Sequence, residues 1–268
     1  MTAILHAIIL GIIQGLTEFL PVSSSAHLNL FPWVFGWENL SEGMDVALHI
    51  GTLLALIIFF FKDWLNLIKA GYKQVVKKER TTDGRIFWYL VFATIPAGIL
   101  SLVLDKIADK IIGDNINLEM AIIAVTLMVM GIILYIVDKK SKAKISYEKM
   151  SLKQAVLIGM SQALAAAFPG VSRSGITMTV GRGLKLDRES AAKFSFLLAT
   201  PITLAAVVFD LPHFTFDLAL ILGILASFLV GLFVIKFLMS YLKKGSFKIF
   251  AIYRVVIGII ILIIYFVR

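Results

Sequence analysis

Twice in this chain an apolar segment breaks at a proline and continues through a cluster of hydroxyls. Residues 11–27 read GIIQGLTEFLPVSSSAH, and residues 159–177 read GMSQALAAAFPGVSRSGIT. Gly11, Gln14, Leu16 and Pro21 recur as Gly159, Gln162, Leu164 and Pro169. One extra residue, Gly170, then aligns Ser23, Ser24 and Ser25 with Ser172, Arg173 and Ser174. Proline interrupts a helix interior. Polar clusters inside greasy segments are costly, and they are retained where a function needs them.

The rest of the chain supplies the greasy setting. It is 59% hydrophobic and 16% charged, with a mean hydropathy of +0.93, whereas a soluble domain is about 25% charged. Apolar runs at 45–61, 86–104, 118–137, 190–209, 216–238 and 249–267 predict six transmembrane helices. Segments 4–33 and 153–184 fit poorly as single spans. Each predicts a re-entrant helical hairpin, because irregular backbone at membrane depth must be buried in protein or line a wet cavity. The N-terminus has no basic n-region and no cleavage site, so no removable signal peptide is expected. The absence of cysteine excludes disulfides and thiolate chemistry. The net charge of +9 sits in loops between apolar runs, where lysines meet anionic lipid head groups; no nucleic-acid partner is expected.

Loop charge sets the topology. Loop 62–85 carries Lys62, Lys69, Lys73, Lys77, Lys78, Arg80 and Arg85, and loop 138–153 carries Lys139, Lys140, Lys142, Lys144, Lys149 and Lys153. Loop 239–248 carries Lys243, Lys244 and Lys248. Loop 105–117 balances Lys106 and Lys110 against Asp105, Asp109 and Asp114, and loop 210–215 has no Lys or Arg. The first three are therefore predicted cytoplasmic, the last two and both termini external. Only re-entrant hairpins reconcile this pattern with six spans. Each half then holds one hairpin and an odd number of spans, so the halves are inverted repeats, about 1–137 and 153–268, within a single domain, 1–268. The likeness extends further: Asp45, His49 and Leu53-Leu54-Ala55 match Glu189, Lys193 and Leu197-Leu198-Ala199. The expectation is an all-α integral membrane protein whose two hairpin tips meet near the midplane.

At those tips the residue types suggest anion chemistry. Gln14 and Glu18 share a helix face. Arg173 suits bidentate phosphate binding. Gly170 and Gly175 allow backbone N–H groups to approach an anion, with Ser172, Ser174 and Thr177 around them. Glu18 and His27 offer acid–base capacity, and Ser23, Ser24 and Ser25 offer hydroxyls. Taken singly, each residue admits a structural role: a turn, a helix cap, an ion-pair partner or a snorkelling arginine. Their joint occurrence in paired tips favours function. The i,i+4 pairs Asp45/His49 and Glu189/Lys193 are assigned structural roles here, and Arg254 in the last span awaits either a buried partner or a lipid phosphate.

The segments QGLTEFLPVSSSAH and PGVSRSGIT resemble the two signature motifs of the undecaprenyl-diphosphatases, the bacitracin-resistance proteins of bacteria. The resemblance spans the chain. It implies hydrolysis of undecaprenyl diphosphate to the monophosphate at the outer side of the bacterial cell membrane, recycling the lipid carrier for peptidoglycan synthesis. It also implies bacitracin tolerance, since bacitracin competes for the diphosphate. By position, Glu18 would be the motif carboxylate, Ser24 the key hydroxyl, His27 the motif histidine and Arg173 the phosphate-binding arginine. Gln14, Ser23, Ser25, Gly170, Ser172, Ser174, Gly175 and Thr177 would line the substrate pocket. Gln14 stands where other members carry glutamate, which weakens a two-carboxylate metal site. Mg²⁺ or Ca²⁺ is compatible with the resemblance, with Glu18 as a ligand or the cation held largely by the diphosphate; no organic cofactor is expected. The nucleophile stays open between Ser24, His27 and water, and the chain is compatible with a homodimer. The rival reading is a polyprenyl-phosphate flippase or secondary transporter, which shares the repeat architecture.

Overall fold

The computed structural model describes residues 2–37, 42–113, 115–142, 145–214 and 217–268. Asp114, Lys144 and Phe216, which fall within the loops and span read above, lie outside them. The chain is helical: α1 (Thr2–Thr17), α2 (Ser24–Phe35), α3 (Glu42–Phe59), α4 (Phe61–Val76), α5 (Thr82–Ile112), α6 (Ile116–Lys140), α7 (Leu152–Ser161), α8 (Ala163–Ala167), α9 (Arg173–Gly183), α10 (Arg188–Asp210), α11 (Leu218–Leu242) and α12 (Lys248–Val267). Among the described residues there is no strand, only one isolated backbone pairing of Ile145 with Leu186. Local signals fix the ends. Thr81, Asn115, Asp187 and Asp217 each accept a backbone N–H as N-caps, and Ser151 with Gln154 forms a capping box.

Five helices, α5, α6, α10, α11 and α12, are long and apolar enough to cross a bilayer. α3 and α4 together would supply a sixth, broken by a 72° bend. Their outward faces carry exposed apolar side chains such as Ile111, Phe209 and Phe233. This is a multi-pass membrane protein.

Two boundaries differ from the sequence reading. Region 62–85, read as a loop from its lysines, is mostly α4. That helix is amphipathic: Leu67 and Gly71 are buried, while Lys69, Tyr72 and Lys73 face outward. Gly71 admits the Phe87 ring of α5, since a Cβ there would lie 2.2 Å from Phe87 Cδ1. Region 105–117 is mostly a continuation of α5 to Ile112, ended by Gly113 at φ 54°. Charge in these stretches marks an exposed helix face, which composition alone does not separate from a loop.

Both proline-broken segments fold back on themselves. In the first, His6 near the start of α1 stacks on Trp37 just past α2, with ring centroids 3.9 Å apart. In the second, Gln154 at the start of α7 donates to the carbonyl of Leu184 just past α9 at 2.8 Å. Each then leans on the other half of the chain: α1 packs on α11, and α7 and α8 pack on α5. The approach is close enough to need glycine. A Cβ at Gly11 would lie 2.3 Å from Gly223 O, and one at its counterpart Gly159 would lie 2.5 Å from Ala93 O.

A buried carboxylate closes the end that carries the basic loops. Asp138 at the end of α6 accepts from Arg182 Nε at 2.8 Å, from Arg188 Nε at 2.9 Å and from the Phe247 amide at 3.2 Å. Lys193 is not paired with Glu189, four residues before it. It reaches across to Asp63 of α4 at 2.6 Å and lies over the Tyr147 ring.

Candidate active site

The two broken segments present their tips to one another. After Pro21 and after Pro169 the chain turns into a new helix through a serine in a rare backbone conformation. Ser23 has φ 76° and Ser172 has φ 70°. Each is the N-cap of the helix that follows: Ser23 Oγ accepts from Ala26 N, and Ser172 Oγ from Gly175 N. Holding a non-glycine residue there costs about 1–3 kcal/mol, and such strain concentrates at functional sites. The turn places Ser24 and Arg173 at the first positions of α2 and α9, so both helix N-termini begin at the same place.

Glu18, in the turn after α1, is the meeting point. Its Oε2 accepts from Ser24 Oγ at 2.6 Å and from Gln14 Nε2 at 3.1 Å. Its Oε1 is bonded and ion-paired to Arg173 Nη2, across from the other tip. Glu18 is 8% exposed, a burial that requires such compensation. Arg173 Nη1 is also buried, but has no hydrogen-bond partner. It is a buried donor without an acceptor, on a residue that lines a cavity. A cavity of about 250 Å³ opens beside it, lined by Glu18, Ser23, Ser24, Ser25, Ser172 and Arg173 and by His49, Thr203 and Ala165. A larger cavity of about 800 Å³ lies at the basic end among Lys142, Arg188 and Lys243, and contains neither motif's polar residues.

The remaining motif residues hold the tips rather than face the cavity. Ser174 Oγ donates within 3.1 Å to the carbonyls of Glu18 and Leu20, stitching one tip to the other. Thr177 is fully buried and bonds to Ser195 of α10 at 2.7 Å. Gly170, at φ 89°, makes room for Thr126, whose hydroxyl donates to Pro169 O at 2.6 Å. Gly175 makes room for the Arg254 guanidinium. His27 is turned away: Nδ1 donates to Ser23 O at 2.7 Å, and Nε2 meets Tyr253 Oη at 2.7 Å.

Arg254 and His49 are the residues whose place the sequence did not reveal. Arg254 of α12 is 1% exposed. It donates to Pro21 O of one tip at 3.1 Å, to Gly170 O and Val171 O of the other at 3.0 Å, and to Leu127 O at 3.2 Å. Among the described residues its partners are these four carbonyl dipoles, and no carboxylate pairs with it. Arg254→Leu leaves the tip carbonyls of Pro21, Gly170 and Val171 without that donor, at about 1–3 kcal/mol each. It is expected to lower stability by at least about 3 kcal/mol and to separate the tips, while Arg254→Lys is partly tolerated. Thermal unfolding of both variants in detergent checks this. The only sign of this role in the sequence was an arginine inside an apolar span.

His49 of α3 belongs to the pair assigned a structural role. Its Nδ1 donates to Asp45 O at 2.9 Å, and its Nε2 lies 3.5 Å from Glu18 Oε2, on the cavity wall. The Asp45 carboxylate is not its acceptor, and Asp45 Oδ1 is itself buried without a partner.

A divalent cation held by side chains does not fit this donor set. Among the described residues Glu18 is the sole carboxylate lining the cavity, and its oxygens already face an arginine, a serine, an amide and a histidine. Among the described residues no three His, Cys, Asp or Glu side chains converge as metal ligands. What the arrangement brings to one cavity is a guanidinium, a hydroxyl hydrogen-bonded to a carboxylate, and an imidazole.

The family model described as bacitracin resistance protein BacA matches residues 7–260. A protein of Caldicellulosiruptor bescii named undecaprenyl-diphosphatase is 45% identical over 98% of each chain. Proteins of the same name from Pelotomaculum thermopropionicum and Moorella thermoacetica are 45% and 41% identical, over 97% and 99% of this chain and 96% and 99% of their own.

Proposed function

This chain belongs to the bacitracin resistance protein BacA family, and we propose that its paired tips hydrolyse undecaprenyl diphosphate to undecaprenyl phosphate and inorganic phosphate. One observation carries the reading at the level of residues: a hydroxyl, Ser24, and a cation, Arg173, reach one carboxylate, Glu18, from opposite tips, and Arg173 keeps a free buried donor.

The terminal phosphate of the diphosphate sits between the N-termini of α2 and α9. Arg173 Nη1 binds one of its oxygens and neutralises charge as it builds. Ser24 Oγ attacks the terminal phosphorus while Glu18 Oε2 accepts its proton, as its 2.6 Å contact prepares it to do. The bridging P–O bond breaks and undecaprenyl phosphate departs. Water then releases phosphate from Ser24, and the proton on Glu18 returns to the serine. No step requires a metal on the protein. A cation travelling with the diphosphate is compatible with the seat, but nothing here depends on it. Removal of the diphosphate deprives bacitracin of its target.

The same reading places the chemistry at the outer face of a bacterial cell membrane, at the end of an inverted-repeat architecture of six spans and two re-entrant hairpins. Its supports are geometric. Each broken segment starts and finishes at one place, through His6–Trp37 and Gln154–Leu184. The exchange of α1 onto α11 and of α7 and α8 onto α5 is the reciprocal packing expected of inverted halves. The cavity lies toward the start of α3 and the end of α10, away from the lysine-rich loops. Single cysteines at Arg80, Asp109 and Lys142 test the orientation in a chain that has none of its own. In intact cells an impermeant maleimide is expected to label only Asp109→Cys; labelling of Arg80→Cys alone overturns it.

The function itself is tested by phosphate release from undecaprenyl diphosphate with the purified protein in detergent. No second compartment is present, so a transporter gives no product. Release by wild type and its loss in Arg173→Ala are expected.

A further inference from the structure

We infer that His49 is a catalytic residue of this site, carrying the second proton of the reaction. The inference rests on the phosphatase reading above. That reading gives Glu18 one proton task, accepting from Ser24. A second group that protonates the departing oxygen and later deprotonates water speeds both halves of the reaction by general acid–base catalysis. The motif residues leave that position vacant. Gln14 is neutral and donates its amide to Glu18 at 3.1 Å. His27 spends both ring nitrogens on Ser23 O and Tyr253.

His49 meets the requirement by position. Its Nδ1 is fixed as a donor to Asp45 O at 2.9 Å, which leaves Nε2 as the working nitrogen. Nε2 lies 3.5 Å from the Glu18 oxygen that also receives Ser24, and the ring forms part of the cavity wall. The charged groups around it are Glu18 from the turn after α1, Arg173 from α9 and Asp45 from its own helix, with Glu119 of α6 near Asp45. α10 and α11 contribute only hydroxyls nearby, Thr203 on the cavity wall and Ser227 bonded to Leu48 O.

The proton count closes. As the Ser24 Oγ–P bond forms, its proton passes to Glu18. As the bridging P–O bond breaks, the proton on His49 Nε2 passes to the leaving oxygen of undecaprenyl phosphate. In the second half a water oxygen bonds to phosphorus and its proton returns to His49, while Glu18 gives its proton back to the departing Ser24 oxygen. Both side chains end as they began.

The test compares wild type with His49→Gln, which keeps polarity and similar reach, in a pH–rate profile of phosphate release from undecaprenyl diphosphate. Because His49 enters the first half protonated and Glu18 enters it ionised, wild-type kcat falls on both the alkaline and the acid side. His49→Gln is expected to lower kcat about 10²-fold, change KM less than about threefold, keep the acid limb and lose the alkaline limb. An unaltered kcat and an unaltered alkaline limb in a folded variant overturn the inference. So does a loss of activity that leaves the shape of the profile unchanged. If the variant does not fold, the wild-type profile decides: a kcat flat on the alkaline side overturns the inference, and a falling limb supports it. Absence of phosphate release by wild type overturns the function itself, a separate outcome.

Discussion

Glu18→Gln is expected to reduce phosphate release about 10³-fold in a protein that still folds. The amide matches the carboxylate in size and reach. It cannot take the Ser24 proton, and it cannot neutralise Arg173. The oxygen that Ser24 reaches at 2.6 Å and the oxygen paired with Arg173 belong to the same group, so one substitution removes both the base and the charge that faces Arg173. KM is expected to change less than kcat, because Arg173 Nη1 remains available to the diphosphate. Single-turnover phosphate release, read beside thermal unfolding, makes the distinction. Robust turnover in a folded Glu18→Gln defeats the catalytic role and returns this carboxylate to that of an ion-pair partner for Arg173.

Arg173→Lys is expected to cost nearly as much, about 10²–10³ in kcat/KM. Lysine keeps the charge but not the planar fork. Here the fork is divided: Nη2 holds Glu18 across the junction, and Nη1 stays free for the phosphate. A single ammonium can serve one of these partners and must neglect the other. A folded Arg173→Lys with near-wild-type turnover would show that general positive charge suffices, and would sink the divided role.

The sequence made the two tips legible because they break a pattern. Proline, glycine and clustered hydroxyls stand out against apolar runs, and their repetition rules out chance. Glu18, Ser24, Gln14 and Arg173 do converge. Loop chemistry was less legible: Lys62, Lys69 and Lys73 mark the exposed face of α4, and linear charge carries no statement about which side of a helix is buried. His49 and Arg254 were the hardest to assign, for one reason. Each acts through a contact distant along the chain, His49 with Glu18 and Arg254 with Pro21, Gly170 and Val171. At the level of sequence His49 was one half of an ordinary i,i+4 pair. His27 stood out through its motif, but its ring is buried against Tyr253, which the linear pattern could not show.

The exchange of α1 onto α11 and of α7 and α8 onto α5 bears on how such a protein is made. During synthesis α1 enters the bilayer without its partner, since the surface that receives Gly11 lies around Gly223. Glu18 therefore waits in a half-assembled state for the arginine that will neutralise it. The Glu18–Arg173 pair spans the two halves of the chain, so either broken segment by itself holds only one member of it.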